Sequence, residues 1–304
     1  MSNISHTYPL CNKPAKTILA AYIELLKPNI VSLVLITTVL GYYLGGNGID
    51  SWSTLMLTLI GTALTAGGAG ALNHYLERDS DNLMKRTRNR PIPAGIISPS
   101  NALMFGILLV LSGSTLLVWK VNTLTGFLSI LTAFLYVLVY TPMKKITWLN
   151  TSIGSIPGAI PPMGGWAAAT GHLDLGAWVL FSIMFLWQHP HFFAIAWMCR
   201  QDYKKAGFKM LPVMEKDGTR TVRQIFWHLT LLIPVSMFLY IIGDSGWIYA
   251  IGVFMLSLIF SISAVPLAFR RTNKNAKLIL KASVLYLPAL LILIIIDKMY
   301  YHMF

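Results

Sequence analysis

The sequence predicts an all-α, polytopic membrane protein with nine transmembrane helices, and three observations carry that reading. Hydrophobic residues make up 55% of the 304 residues and charged residues only 12%, proportions far from those of a soluble domain. Mean hydropathy is +0.62, and apolar runs of about 18 residues recur along the chain, each long enough to cross a ~30 Å hydrocarbon core. Basic residues are confined almost entirely to every second connection between those runs.

The first 28 residues read as a polar lead that ends in the amphipathic YIELLKP. They contain no basic start followed by an apolar h-region, so no cleaved signal peptide is expected. Pro28 suits the first turn of a helix, and the first span covers 29–44. The Gly-containing GGNGID breaks it, and the remaining spans cover 51–75, 101–119, 124–140, 151–169, 175–199, 225–242, 247–268 and 278–296. The transmembrane domain is thus 29–296, with long polar loops at 76–100 and 200–221 and a short tail at 297–304. The fifth span, containing GSIPGAIPPMGGW, carries too many Gly and Pro residues for a regular lipid-facing helix. It is expected to bend, pack closely and line a cavity.

An odd number of spans puts the two ends on opposite sides. With the N-terminus in the cytoplasm, 22 of the 24 Lys and Arg residues fall inside, leaving only Lys120 and Lys298 outside. That asymmetry fixes the orientation, places both long loops on the cytoplasmic face and points to a bacterial cytoplasmic membrane. It also accounts for the formal net charge of +13, so no nucleic-acid partner is expected. The two cysteines, Cys11 and Cys199, are too far apart in sequence and context to imply a disulfide framework or a metal site.

The stretch 73–91, NHYLERDSDNLMKRTRNRP, carries the strongest chemical signal. If the second span continues as a helix, Asn73, Glu77 and Asp81 fall at i, i+4 and i+8 on one face. Three oxygen-bearing side chains beside a cluster of Arg suit a divalent cation together with a phosphate ester. Charge balance in a solvated loop would explain the residues but not their shared face. Arg86 and Arg90, also four apart, have guanidinium forks suited to phosphate oxygens, although topology alone would also place basic residues there. Lys144 and Lys145 share that ambiguity. The second loop offers Asp202 at its entrance, either a surface residue or the complement of the cation site. It gives a weak echo of the first loop.

The segment WQHPHFFAIAW, 187–197, places two histidines inside an apolar span. His191 lies eleven residues before Asp202, or ~16 Å deeper at 1.5 Å per residue. That depth suits a large apolar substrate held beneath a phosphate site, and imidazole commonly ligates haem iron. His189 and His191 do not share a helix face, so one of them is expected to point inward. The competing account is a hydrogen-bonded core histidine beside a helix bent at Pro190.

Taken together, NxxxExxxD at 73–81, RTRNRPIPAG at 86–95 and DYKKAG…MLPV at 202–213 resemble the UbiA superfamily of intramembrane prenyltransferases. YTPMKK, GAIPPMGGW and WQHPHF resemble, more narrowly, its haem-farnesylating branch. The resemblance runs from KPNI to the eighth span. It implies a nine-helix fold around a central, lipid-opening cavity and a Mg²⁺-dependent transfer from farnesyl diphosphate to a vinyl group of haem B. Water is added, giving haem O.

On this basis Asn73, Glu77, Asp81 and Asp202 hold Mg²⁺ and act in catalysis. Arg78, Arg86, Arg90, Lys144, Lys145 and Lys205 bind the diphosphate, and His191, with His189 second, holds the haem. Haem A synthase or an oxidase assembly are the implied protein partners. Glu77 stands where the family pattern has Asp, keeping a carboxylate on a longer arm. The second motif lacks the second Asp of the quinone-prenylating branch. Prenylation of a quinone or other aromatic precursor, and secondary transport through broken helices, are the alternative readings.

Overall fold

The structure, a computed structural model, describes residues 17–301, and every regular element among them is helical. A short helix α1 (Ile18–Leu25) leads into α2 (Pro28–Gly45). Then come α3 (Trp52–Leu83), α4 (Pro99–Lys120) and a composite rod of α5 (Thr123–Phe134), a π-helix (Leu135–Tyr140) and α6 (Thr141–Ile146). α7 (Asn150–Thr170) and α8 (Leu175–Met198) are followed by the short α9 (Arg200–Lys205) and α10 (Leu211–Met214). Three long helices close the chain: α11 (Thr219–Ile241), α12 (Trp247–Phe269) and α13 (Asn273–Tyr301).

Local chemistry sets several boundaries. Ser51, Ser98 and Asn122 each accept a bond from a backbone N–H three residues on, which caps the starts of α3, α4 and α5. Pro28 and Pro99 occupy first-turn positions, where their missing N–H costs nothing.

Among the described residues eight helical rods are long and apolar enough to cross a membrane, and the protein is an integral, multi-pass membrane protein. The ninth expected span is present as α7, whose 21 residues include Pro157, Pro161 and Pro162. Its Gly and Pro content lowers its hydropathy, and it is packed inside the bundle instead of facing lipid. The approach of α2 to α7 depends on missing side chains. A Cβ on Gly41 would lie 1.8 Å from the Pro162 carbonyl oxygen, and one on Gly165 would lie 1.9 Å from that of Thr38.

Three boundaries differ from the sequence reading. α1 is folded against α3, with Ala21 and Leu25 fully buried, where a polar lead was expected. At the other end, α13 continues into the expected tail as far as Tyr301. Buried Asp297 accepts bonds from the Gly246 and Tyr249 N–H groups at 2.5 and 2.9 Å, satisfying the otherwise orphaned first turn of α12. The loop after α8 is shorter than expected because α11 already begins at Thr219. Cys199 is a free thiol. Cys11 and residues 302–304 lie outside the described residues.

The main apolar core sits where α8 meets α11, α12 and α13, around Trp187, Phe193, Tyr249 and Tyr286. On the other side of α8 the bundle leaves a cavity walled by α2, α3, the α5–α6 rod, α7 and α8.

Candidate active site

The cavity holds about 420 Å³, within the range of small-molecule sites. From Thr62 to Asp81 its α3 wall runs ~28 Å at ~1.5 Å per residue. Most of the wall is apolar, and its charged side chains gather where α3 ends.

α3 continues unbroken to Leu83, so Asn73, Glu77 and Asp81 share one buried face and all three line the cavity. Each is engaged by a basic side chain from another segment. Lys27 donates from Nζ to Asn73 Oδ1 and, at 3.3 Å, to Tyr136 Oη. Lys144 Nζ donates to Glu77 Oε1 at 2.6 Å. Arg90 Nη1 lies 2.7 Å from both carboxylate oxygens of Asp81, whose side chain has no exposed surface. In a medium this dry, an unpaired carboxylate would be very costly, and the pairing is what allows the acids to sit there.

The supporting structure explains how these groups are held. Asn73 Nδ2 donates to Thr141 Oγ1 at 2.9 Å, which turns Oδ1 toward Lys27. Thr141 Oγ1 in turn donates to the Tyr136 carbonyl at 2.8 Å, five residues back, where the π-helix widens the turn. π-helical turns of this kind often mark functional sites. Lys27 has a left-handed backbone, φ 55°, between α1 and α2. Non-glycine residues hold that conformation at a cost, and here it delivers the ammonium group to the site. Tyr140 and Phe208 flank Lys144, with ring centroids 4.6 and 5.7 Å from its Nζ. Burial pushes the Tyr203 phenol upward in pKa against the opposing pull of Arg86 and Lys144, so it stays neutral at the cavity edge.

Of the residues singled out in the sequence, Asn73, Glu77, Asp81, Arg86, Arg90, Lys144 and His191 line this cavity. The others lie off its wall. Arg78 bonds the Tyr75 carbonyl at 2.7 Å and stacks on its ring. Lys145 and Lys205 are exposed. Asp202 Oδ2 accepts from the Arg86 backbone N–H at 3.3 Å, so it ties the second loop to the first. His189 is fully buried away from the wall, between the Phe185 carbonyl and Ser152 Oγ, and stacks on His228 at 3.7 Å. His191 stacks on Trp187 and bonds Ser283 Oγ at 2.8 Å through Nδ1. Its Nε2 has no hydrogen bond to a described residue, and the residue lines the cavity.

Lys27, Tyr136, Tyr140 and Thr141 were not assigned to the site from sequence. Lys27 was counted only toward topology, and its place before Pro28 gave no hint of the left-handed turn.

The site can hold a divalent cation. Its Asn73, Glu77 and Asp81 donors are all oxygens, as a hard cation requires, and all three already draw positive charge to themselves. Among the described residues no three His, Cys, Asp or Glu side chains are grouped as metal ligands: the wall holds two acids, Glu77 and Asp81, with Asn73 as the third oxygen donor, and Lys144 and Arg90 sit on the two carboxylates. Binding a metal therefore means exchanging those partners.

Comparison with known proteins agrees with this architecture. The sequence pattern of the UbiA prenyltransferase family matches residues 34–285. A protoheme IX farnesyltransferase of Solibacter usitatus is 44% identical over 91% of this chain and 98% of its own. That of Salinibacter ruber is 47% identical with the same coverage. Among solved structures, a digeranylgeranylglyceryl phosphate synthase superposes with a TM-score of 0.77 at 18% identity, covering 92% of this chain and 98% of its own. A UbiA homolog from Archaeoglobus fulgidus bound to GPP and Mg²⁺ superposes at 0.65 with 16% identity, covering 90% and 99%. At those identities the structural likeness speaks to fold, while the sequence match extends through both loops that frame the cavity mouth. On both grounds, the chain belongs to the UbiA prenyltransferase family.

Proposed function

We propose that the protein transfers the farnesyl group of farnesyl diphosphate to a vinyl group of haem B, with addition of water, releasing haem O and diphosphate. One observation carries the reading: a single cavity has an oxygen- and cation-rich mouth at Asn73, Glu77, Asp81, Lys27, Arg90 and Lys144, and a histidine, His191, on its apolar wall. The mouth suits a diphosphate and the imidazole suits haem iron. The relatives at 44% and 47% identity are named protoheme IX farnesyltransferase, which supports the same acceptor.

In this reading Asn73, Glu77 and Asp81 hold Mg²⁺, with Asp202 approaching from the second loop. Bound there, the cation supplies Lewis-acid charge to the leaving diphosphate. Lys27, Lys144 and Arg90, freed from the acidic wall, turn to the diphosphate oxygens, with Arg86 beside them. They stabilise the charge that grows as the C1–O bond breaks and its electron pair goes to diphosphate. The outer basic groups, Arg78, Lys145 and Lys205, attract the anion as it arrives. His191 holds the haem so that a vinyl group meets farnesyl C1. The new C–C bond leaves a cation beside the pyrrole, which water captures. The apolar walls exclude other water from the allylic cation.

The charged mouth and both long loops lie at the basic, cytoplasmic end, with the N-terminus inside and the C-terminus outside a bacterial cytoplasmic membrane. The transmembrane domain, 29–296, is then a single catalytic unit. Haem A synthase or an oxidase assembly is the natural recipient of the product.

The test is to incubate purified protein with haem B, farnesyl diphosphate and Mg²⁺ and to follow porphyrins by mass. Farnesylated, hydrated haem is expected, with none formed in excess EDTA. An unchanged haem mass together with prenylation of a quinone precursor would overturn the assignment.

A further inference from the structure

One cavity side chain is held in a manner the roles above leave unused. Gln188, on α8, is 3% exposed and lines the cavity. Its Nε2 donates to the Ser155 carbonyl at 3.3 Å and the Met184 carbonyl at 3.1 Å. The amide orientation follows from chemistry, because turning it over would set Oε1 against two carbonyl oxygens. Both amide hydrogens are therefore committed to backbone. Oε1 accepts no bond from a described residue, yet it is not among the sealed polar atoms that lack partners. It is an acceptor with surface left toward the cavity.

The fold makes room for that oxygen. A Cβ on Gly158 of α7 would lie 2.0 Å from Oε1, so any larger residue there would displace it. His191 follows Gln188 at i+3, a spacing that puts the two on one face with Cβ atoms roughly 5–6 Å apart. A fixed, partnerless acceptor in a mostly apolar wall, beside the imidazole proposed to hold haem, has one evident small ligand: water, which can donate to Oε1 and keep a lone pair for attack.

We propose that Gln188 positions the water molecule that is added to the farnesylated vinyl group. This rests on the haem-farnesylation reading. Once the C–C bond has formed, the carbon beside the pyrrole is cationic. The water oxygen gives an electron pair to that carbon while one of its hydrogens is bonded to Gln188 Oε1. The resulting oxonium loses a proton to the departing diphosphate, leaving the hydroxyl group. An amide is too weak a base to take the proton itself, so Gln188 acts by placement. Without the held water, the cation's competing fate is loss of a proton from an adjacent carbon, which gives an alkene lighter by one water.

The experiment reads the ratio of hydrated to dehydrated farnesyl haem by mass, among whatever turnovers occur, in Gln188→Met, Gln188→Glu and Gly158→Ala. A change of about tenfold toward the dehydrated product is expected in Gln188→Met, the scale of losing one hydrogen bond. Gly158→Ala should shift the ratio in the same direction by displacing the oxygen. Gln188→Glu, kept protonated by burial so that its hydroxyl donates to one of the two carbonyls, retains an acceptor oxygen and should keep the hydrated product. A wild-type ratio in both Gln188→Met and Gly158→Ala overturns the proposal. So does loss of all transfer in both Gln188→Met and Gln188→Glu, which would make the residue a link between α7 and α8. Failure of the wild-type protein to add any mass to haem would instead overturn the underlying reaction, and the two failures are distinguishable.

Discussion

The end of α3 and the start of the second loop carry similar residues in dissimilar settings. Asp81 is fully buried and held by Arg90, and Glu77 is paired with Lys144 at 2.6 Å, with side-chain exposures of only 8% and 11%. Asp202 is half-buried and makes one 3.3 Å contact to a backbone N–H, while Lys204 and Lys205 project into solvent. Burial separates the roles. Charges held together out of water are strongly coupled, and removing one partner leaves the other at a cost of roughly 3–5 kcal/mol. Exposed charges contribute about 0–1 kcal/mol each. In the proposed reading the first region hands its acids from basic side chains to a metal, while Asp202 in the second region ties its loop to the first through the Arg86 N–H.

That contrast predicts a graded set of effects. Asp81→Asn should be the most severe, because it removes both a proposed metal ligand and the partner of Arg90. Diphosphate release is expected to fall ~10²–10³-fold, the scale of losing a preorganised electrostatic group. Near-normal turnover would show that the α3 face does not carry the chemistry. Lys144→Met should come next. It leaves Glu77 buried without its nearest cation, so the thermal midpoint in detergent should drop, and the KM for farnesyl diphosphate should rise ~10-fold or more. Lys145→Met, one residue away and exposed, should leave the midpoint unchanged and raise KM by less than about twofold, the scale of a screened outer charge. Equal effects in the two variants would erase the distinction between buried and exposed cations.

The two histidines sharpen the comparison along α8. His191→Ala is expected to weaken haem binding ~10–100-fold, the usual range for losing support at a metal site, read from the Soret titration. It should leave diphosphate affinity unchanged. His189→Ala should leave the Soret titration as in wild type, since that ring bonds Ser152 and stacks on His228 away from the cavity. The reverse pattern would reassign the haem contact.

Much of this was legible in the sequence because it is written in short-range patterns. Apolar runs gave the rods, and the i, i+4, i+8 spacing of Asn73, Glu77 and Asp81 put them on one wall. Alternation of basic loops grouped the two long loops, which meet where Asp202 accepts from the Arg86 N–H. What escaped depends on tertiary approach. The sequence narrowed His189 and His191 to one inward residue, but only the rotation of α8 against α7 and α11 chooses between them. Lys27 reaches Asn73 through a left-handed turn that no local signal announces. The π-helix that presents Tyr136 and Thr141 lies within an ordinary apolar run, LYVLVY. The ninth span failed the hydropathy test for the same reason it matters: its Gly and Pro residues let α2 and Gln188 approach closely.

The smallest expected effects fall on the second loop, and they decide how far its acid shares the metal. If Asp202 serves only to tie Arg86 in place, Asp202→Asn keeps an oxygen that can still accept from the Arg86 N–H. The loss should then be modest, about tenfold or less in kcat, with unchanged Mg²⁺ dependence. If Asp202 moves to the cation when substrate is present, the same variant should raise the Mg²⁺ concentration for half-maximal activity, because a charged ligand has become neutral. Lys205→Ala is the reference: exposed and unpaired with the wall, it should change kcat and Mg²⁺ dependence by less than about twofold. A Mg²⁺ titration of Asp202→Asn that matches Lys205→Ala assigns the second loop to positioning, and one that is displaced assigns Asp202 to the metal shell.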